Sequence, residues 1–161
     1  MKTFQELQEG VYDPNILKAF FLAGGPGSGK SYVVKRGTGG LGMKIVNSDD
    51  VLEKYIKDAG LSLKMPKSEE EPRDKLRDKA KAVTKAKMGN YVEGRLGLII
   101  DGTGKDYDKI AKQATGLKQL GYDVHMIFVN TSLETALKRN AKRDRTVPRS
   151  IATKSWKTVQ S

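Results

Sequence analysis

Gly24-Gly25-Pro26-Gly27-Ser28-Gly29-Lys30-Ser31 combines a glycine-rich turn, a lysine and a hydroxyl in the pattern G-x-x-x-x-G-K-[ST]. Glycines let a backbone adopt positive φ and bring its N–H groups within reach of phosphate oxygens. The helix that follows presents its N-terminus to the same charge. Lys30 is then placed to span the β- and γ-phosphates of ATP, and the Ser31 hydroxyl to ligate Mg²⁺. The motif directly follows the apolar run Ala19-Phe20-Phe21-Leu22-Ala23, the context it requires.

Three further clusters bear on what is done with that phosphate. Asn47-Ser48-Asp49-Asp50 closes a second apolar run. A carboxylate there can face the γ-phosphate and orient an acceptor hydroxyl while relieving it of its proton. One of Asp49 and Asp50 is expected to cap the next helix, which leaves the other free. Leu98-Ile99-Ile100-Asp101-Gly102-Thr103 is a Walker-B-like element, with Asp101 placed to hold Mg²⁺ through water or to position the substrate. No acid follows Asp101, whereas ATPase motors commonly use one there to activate water. Arg139 and Arg143 are four apart, so they are expected on one helix face, where two guanidiniums can embrace a transferring phosphoryl group.

These residues need a scaffold that brings strand ends together. Four short apolar runs, Ala19 to Ala23, Lys44 to Asn47, Leu98 to Asp101 and Val124 to Val129, predict strands buried on both faces. Helical patterns alternate with them. Asp50 to Ala59 stops at Gly60, and Ser68 to about Tyr91 opens with Ser68 and Glu71 as a capping box. Asp106 to Leu120 carries Ile110, Ala114, Leu117 and Leu120 on one face and stops at Gly121, and Ser132 to about Arg143 begins on an N-cap. The helix after the first strand is expected to be short, because Gly37, Gly39, Gly40 and Gly42 follow it. Such alternation implies right-handed crossovers and a parallel sheet. The expected fold class is α/β, a three-layer sandwich with the glycine loop at the carboxyl edge, as in P-loop NTPases. The charged segment 60–95 exceeds a simple crossover, and reads either as a solvated helical hairpin or as a substrate-covering insertion. His125, inside the fourth strand, is expected to be structural. Trp156 is placed for core packing more than for stacking on a base.

Composition bounds the remaining choices. A chain of 161 residues suits one domain, 1–161, and with no cysteine it has neither disulfides nor thiolate chemistry. Its longest apolar stretches fall far short of the ~20 residues of a membrane span, and Met1 to Glu6 holds no signal core. A soluble, cytoplasmic protein is expected. The net charge is +11, and the 24 residues from Lys138 to Ser161 contribute +7 of it through eight basic residues against Asp144. That concentration reads either as a solvated basic tail or as a surface that receives phosphate-rich ligands, a nucleic acid or nucleotide among them, and charge alone does not say which.

Taken together, the constellation resembles the small P-loop kinases around phage polynucleotide kinase and the zeta-toxin kinases, phage-encoded members included. The likeness runs from Ala19 to Gln160. In the resemblance, Asp49 matches the Asp that activates the acceptor hydroxyl, Ile100-Asp101-Gly102-Thr103 the substrate-side Asp element, and Lys138 to Arg143 with Val147-Pro148 the arginine-bearing lid, 138–149. Segment 60–95 has no motif that carries over, and the chain ends at Ser161 where such folds commonly add a strand or helix. If phage-encoded, the protein would work in host cytoplasm. Three readings follow: a kinase for a hydroxyl on nucleic acid or a nucleotide; a kinase for a small metabolite such as a nucleotide-sugar; and a nucleic-acid-binding ATPase with no phosphoryl acceptor. The missing second carboxylate after Asp101 weighs against the third.

Overall fold

A computed structural model describes residues 13, 15–37 and 41–160. Four parallel strands, β1 (Lys18–Ala23), β2 (Lys44–Val46), β3 (Leu98–Asp101) and β4 (Asp123–Phe128), form one sheet in the order β2-β3-β1-β4. The helices are α1 (Lys30–Gly37), α2 (Ser48–Asp58), α3 (Glu70–Glu93), α4 (Tyr107–Gln119), α5 (Leu133–Ala141) and α6 (Arg149–Gln160). Side-chain alternation along the strands divides the core between two faces. Ala19, Phe21 and Leu98 meet Met88, Tyr91 and Val92 of α3 and Ile110, Ala114 and Leu117 of α4. Leu22 and Ile99 point the other way, to Val34 of α1. The expected three-layer architecture is therefore present.

Burial on both faces holds for the inner strands only. Ala19, Phe21, Leu22 and Leu98 are all nearly inaccessible, whereas Ile45 of β2 and Met126 and Phe128 of β4 are about half exposed. β2 and β4 are the edges of the sheet, and an apolar run does not report which strand ends up outside. His125 is accordingly exposed, contrary to its expected burial. It pairs with Asp123 at 2.9 Å and stacks on Phe20 at 5.3 Å between centroids.

α1 is short, eight residues, as the glycines predict; Gly39 and Gly40 lie outside the described residues. The Ser68–Glu71 capping box does not form. A 3-10 turn (Lys67–Glu69) precedes α3, and Glu69 instead accepts a hydrogen bond from the Ser62 amide at 2.8 Å. Segment 60–95 is dominated by α3, whose Ala80 packs with Leu52 and Ile56 of α2 and with Met65. Burying side chains the size of Leu52 and Ile56 stabilises by roughly 1.5–3 kcal/mol each, so α2 and α3 are joined as a packed pair.

Candidate active site

Because all four strands run the same way, their carboxyl ends share one edge, and the chemistry-bearing residues follow those ends directly. The glycine loop leaves β1 with φ of +81° at Gly27 and +105° at Gly29, values that side-chain-bearing residues rarely adopt. Gly27 also lies hard against the Ala136 carbonyl of α5, so that any side chain would collide with backbone. Lys30 Nζ donates to the Gly24 carbonyl at 2.6 Å and to that of Gly25 at 3.3 Å. The Ser28 hydroxyl is buried without a partner. Trp156 settles behind this loop: its backbone abuts Gly25, and its Nε1 donates to the Thr131 carbonyl at 2.8 Å. It packs and anchors α6.

Asn47 directly follows β2 and organises the opposite wall. Its side-chain oxygen accepts from the Asp49 amide at 2.8 Å and caps α2, while its Nδ2 donates to Asp101 at 3.1 Å and to Asp50 at 3.4 Å. The capping role expected of Asp49 or Asp50 thus belongs to Asn47, and both aspartates sit in the first helical turn. Their charges favour the helix N-terminus there. An Asn one residue ahead of a helix is a legible capping signal, but its bridge to Asp101 depends on β2 and β3 being neighbours.

Arg145 is the largest addition to the expected set. Its side chain is only 8% exposed, and its Nη2 donates to Asp49 at 2.8 Å, with Nε 3.8 Å from Glu53. Asp49 and Glu53 are one turn apart on α2, so a single guanidinium meets both. A buried cation is tolerable because it is paired. Nothing local in the sequence separates Arg145 from Lys142 or Arg149, and its partner is 96 positions away. The loop that carries it is clasped by buried Asn140, which donates to the Val147 carbonyl at 2.7 Å and accepts from its amide at 3.1 Å.

Arg139 lies on α5 and donates to the Ser28 carbonyl at 3.3 Å. Arg143 does not share its helix face as expected: α5 ends at Ala141, and Arg143 lies in the turn beyond, its carbonyl accepting from Lys64 Nζ at 3.3 Å. Both arginines nonetheless reach the same cavity of about 500 Å³, along with Pro26 to Ser31, Asn47, Asp49, Asp50, Asp101 and Arg145. Gly24 and Gly25 sit behind it, in contact with Lys30.

The electrostatics reflect removal from water. Burial lowers the Lys30 pKa below its ordinary value, against opposing pulls from Asp101 and Asp49. Burial likewise raises Asp101, with Lys30 opposing and Asp49 and Asp50 reinforcing, and it raises Asp50. Each charge resists being desolvated in this pocket. A cluster of strained charges at a strand edge is characteristic of a site built for a charged ligand.

A parallel sheet with a glycine loop, lysine and hydroxyl at its carboxyl edge defines a P-loop, nucleotide-binding, kinase-like fold. An AAA domain family model matches residues 20–161, and the chain belongs to that family. No curated protein matches the sequence. Among solved structures, the AvrRxo1-ORF1:AvrRxo1-ORF2 complex with ATP is similar at a TM-score of 0.71 and 16% identity, over 89% of this chain and 47% of that one. A chain of the Pnkp1/Rnl/Hen1 RNA repair complex is similar at 0.66 and 19%, over 98% and 47%. One from the PezAT chromosomal toxin–antitoxin system of Streptococcus pneumoniae is similar at 0.60 and 20%, over 85% and 55%. The chain thus spans about half the length of each. Among the described residues, no helix is long and apolar enough to cross a membrane.

Proposed function

We propose that the protein is a P-loop phosphotransferase that moves the γ-phosphate of ATP to a hydroxyl acceptor on a nucleic acid or nucleotide. One observation carries this reading: Lys30 and Ser31 share a single cavity with Asp49, Asp101, Arg139 and Arg143. Phosphoryl transfer asks little covalent chemistry of a protein and much positioning and charge stabilisation. Backbone amides of Gly27 to Ser31, with Lys30, would hold the β- and γ-phosphates. Asp49 would orient the acceptor hydroxyl in line with the γ-phosphate and take its proton. Arg145 Nη2 donates to that carboxylate at 2.8 Å and would hold its direction. Arg139 and Arg143, on segment 138–149, would stabilise charge that builds only in the transition state.

Ser31 and Asp101 fit Mg²⁺ by donor chemistry, a hydroxyl and a carboxylate on one cavity. Among the described residues no three His or acidic side chains cluster to cage a metal, which suits an ion held mostly by phosphate and water. Bound there, Mg²⁺ would neutralise charge on the β- and γ-phosphate oxygens. In this reading residues 1–161 form one kinase domain, with segment 60–95 on its acceptor side.

The residue after Asp101 is Gly102 and not the acid that ATPase motors commonly use at that position to activate water, which favours transfer over hydrolysis. The likeness to a chain of an RNA repair complex is compatible with a nucleic-acid acceptor, and a small-metabolite acceptor such as a nucleotide-sugar is the second reading. Incubation with γ-labelled ATP, Mg²⁺ and pooled 5′-hydroxyl oligonucleotides, nucleosides and nucleotide-sugars decides among them. Label in an acceptor is expected; label only in free phosphate would replace the kinase with an ATPase.

A further inference from the structure

A second cavity, of about 590 Å³, opens between α3 and α4 and joins the first at Ser48, Asp101, Gly102 and Thr103. Its floor is apolar, made by Phe21, Ile100 and Ile110, and four lysines line it: Lys81 and Lys85 from α3, Lys105 just before α4 and Lys109 in its first turn. Lys81 and Lys85 are one turn apart, so they lie on one face of α3. All four are exposed. Of these four lysines only Lys81 has an acidic partner among the described residues, Asp78 at 3.3 Å, and that pair is solvent-exposed and worth little. The one carboxylate in this cavity besides Asp101 is Asp106, which accepts from the Lys109 amide and caps α4.

Helix stability does not explain this collar. Lys105 and Lys109 flank the N-terminus of α4, where the helix dipole disfavours cations. Nor does the collar face bulk solvent alone, because its cavity leads to Asp101 and from there to the γ-phosphate position. Resting on the kinase reading, we propose that this groove binds the acceptor, and that the acceptor is a nucleoside carrying a phosphate ester remote from the reacting hydroxyl. The lysines take the phosphate, and the apolar floor takes the flat, weakly polar base. The C-terminal basic residues are a poorer candidate for this contact. Five of those, Lys138, Lys142, Arg149, Lys154 and Lys157, line neither of these two cavities, and Lys138 pairs with Glu134 at 2.7 Å.

The test is equilibrium binding of a 3′-fluorescein hexanucleotide with a free 5′ hydroxyl, read by anisotropy with a non-hydrolysable ATP analogue and Mg²⁺ saturating the first cavity. The double variant Lys85→Glu/Lys109→Glu is expected to bind about tenfold or more weakly, and its logarithmic salt slope to fall by about one to two units. Both changes are at exposed positions, and the second suits the dipole, so the variant should fold normally. Lys154→Glu/Lys157→Glu, with the same change in net charge, is expected to bind like wild type. A nucleoside 3′-monophosphate and a nucleoside diphosphate-sugar are run as competitors beside the plain nucleoside. Displacement by a phosphate-bearing competitor and not by the nucleoside supports the groove, and the tighter competitor identifies the source of the phosphate. Unchanged binding in the groove variant, equal loss in the α6 variant, or equal displacement by the nucleoside would overturn it. Transfer of label from ATP, measured separately, keeps the two ideas apart: lysine-dependent binding without transfer retires the kinase and leaves the groove.

Discussion

The two walls of the proposed active-site cavity are built on different principles. The proposed nucleotide wall is one contiguous stretch, Pro26 to Ser31, whose backbone amides take their directions from the positive φ of Gly27 and Gly29. The facing wall is assembled from side chains on four separate stretches: Asn47 to Glu53, Asp101 to Thr103, Arg139, and Arg143 to Val147. What holds it is two long-range polar contacts, Asn47 to Asp101 and Arg145 to Asp49, with the local clasp of Asn140 on Val147. A wall of contiguous backbone is fixed once its strand and helix form. A wall of distant side chains can be tuned or lost one contact at a time.

The largest effect is expected on the backbone wall. Lys30→Ala removes the one charged group there and should lower kcat/KM for transfer by several hundredfold or more. Its melting temperature should hold, because burial already disfavours the ammonium. Near wild-type transfer in a folded Lys30→Ala protein would retire the proposed function.

Asp49→Asn tests the facing wall directly, with an expected loss of about 10²–10⁴ in kcat and little change in KM for ATP. Asp50→Asn is the comparison. Asn47 rather than Asp50 caps α2, so this change should cost little stability and far less rate. If Asp50→Asn is inactive and Asp49→Asn is not, the acceptor-facing carboxylate is Asp50.

Arg145→Ala asks whether the side-chain wall is held as a unit. It leaves Asp49 and Glu53 without their shared partner and empties a buried space, at an expected cost of about 1–3 kcal/mol by chemical denaturation. The cost stays below that of a fully buried pair, because the Asp49 side chain is 56% exposed. Transfer should fall with it, and Arg145→Lys should restore only part, since an ammonium cannot present the same fork to two carboxylates. A kcat at the wild-type level in Arg145→Ala would show that Asp49 orients itself unaided.

The smallest effect is a pH dependence of stability. Asp101 has a folded pKa above its ordinary 3.8 because of burial. Between those values the folded state holds more protons than the unfolded one, so this group's contribution falls as pH rises through the interval. Asp101→Asn removes it. The variant should therefore melt higher than wild type at pH 7, by about 2–4 °C at most, and the gain should vanish below pH 3.8. Equal melting temperatures at pH 7 would show that Lys30 and Asn47 fully compensate the buried carboxylate. Lys30 works in the opposite sense, gaining stability as pH rises from its lowered pKa towards its ordinary 10.5.

Much of this molecule is dictated locally, and that part was legible in the sequence. Strand runs, helix stops at Gly60 and Gly121, and the loop from Gly24 to Ser31 depend on residues within a few positions of one another. They are set by conformational preference and period. The parallel arrangement followed from strand–helix alternation, because the crossovers leave few alternatives. With it came the placement of Asp49 and Asp101 on the edge that carries Lys30.

Tertiary structure decided whatever depends on who lies beside whom. Only the strand order makes β2 and β4 edges and leaves Ile45, Met126 and Phe128 partly open, since an apolar run specifies burial partners no more than it names them. Arg143 leaves the helix because α5 stops at Ala141, where the Asn140 clasp turns the chain towards Val147. Among eight basic residues from Lys138 to Ser161, Arg145 alone is buried, because packing brings it onto the face of α2 that carries Asp49 and Glu53. Charge is legible along a chain, but the desolvation and pairing that give a charge its role exist only once distant segments meet.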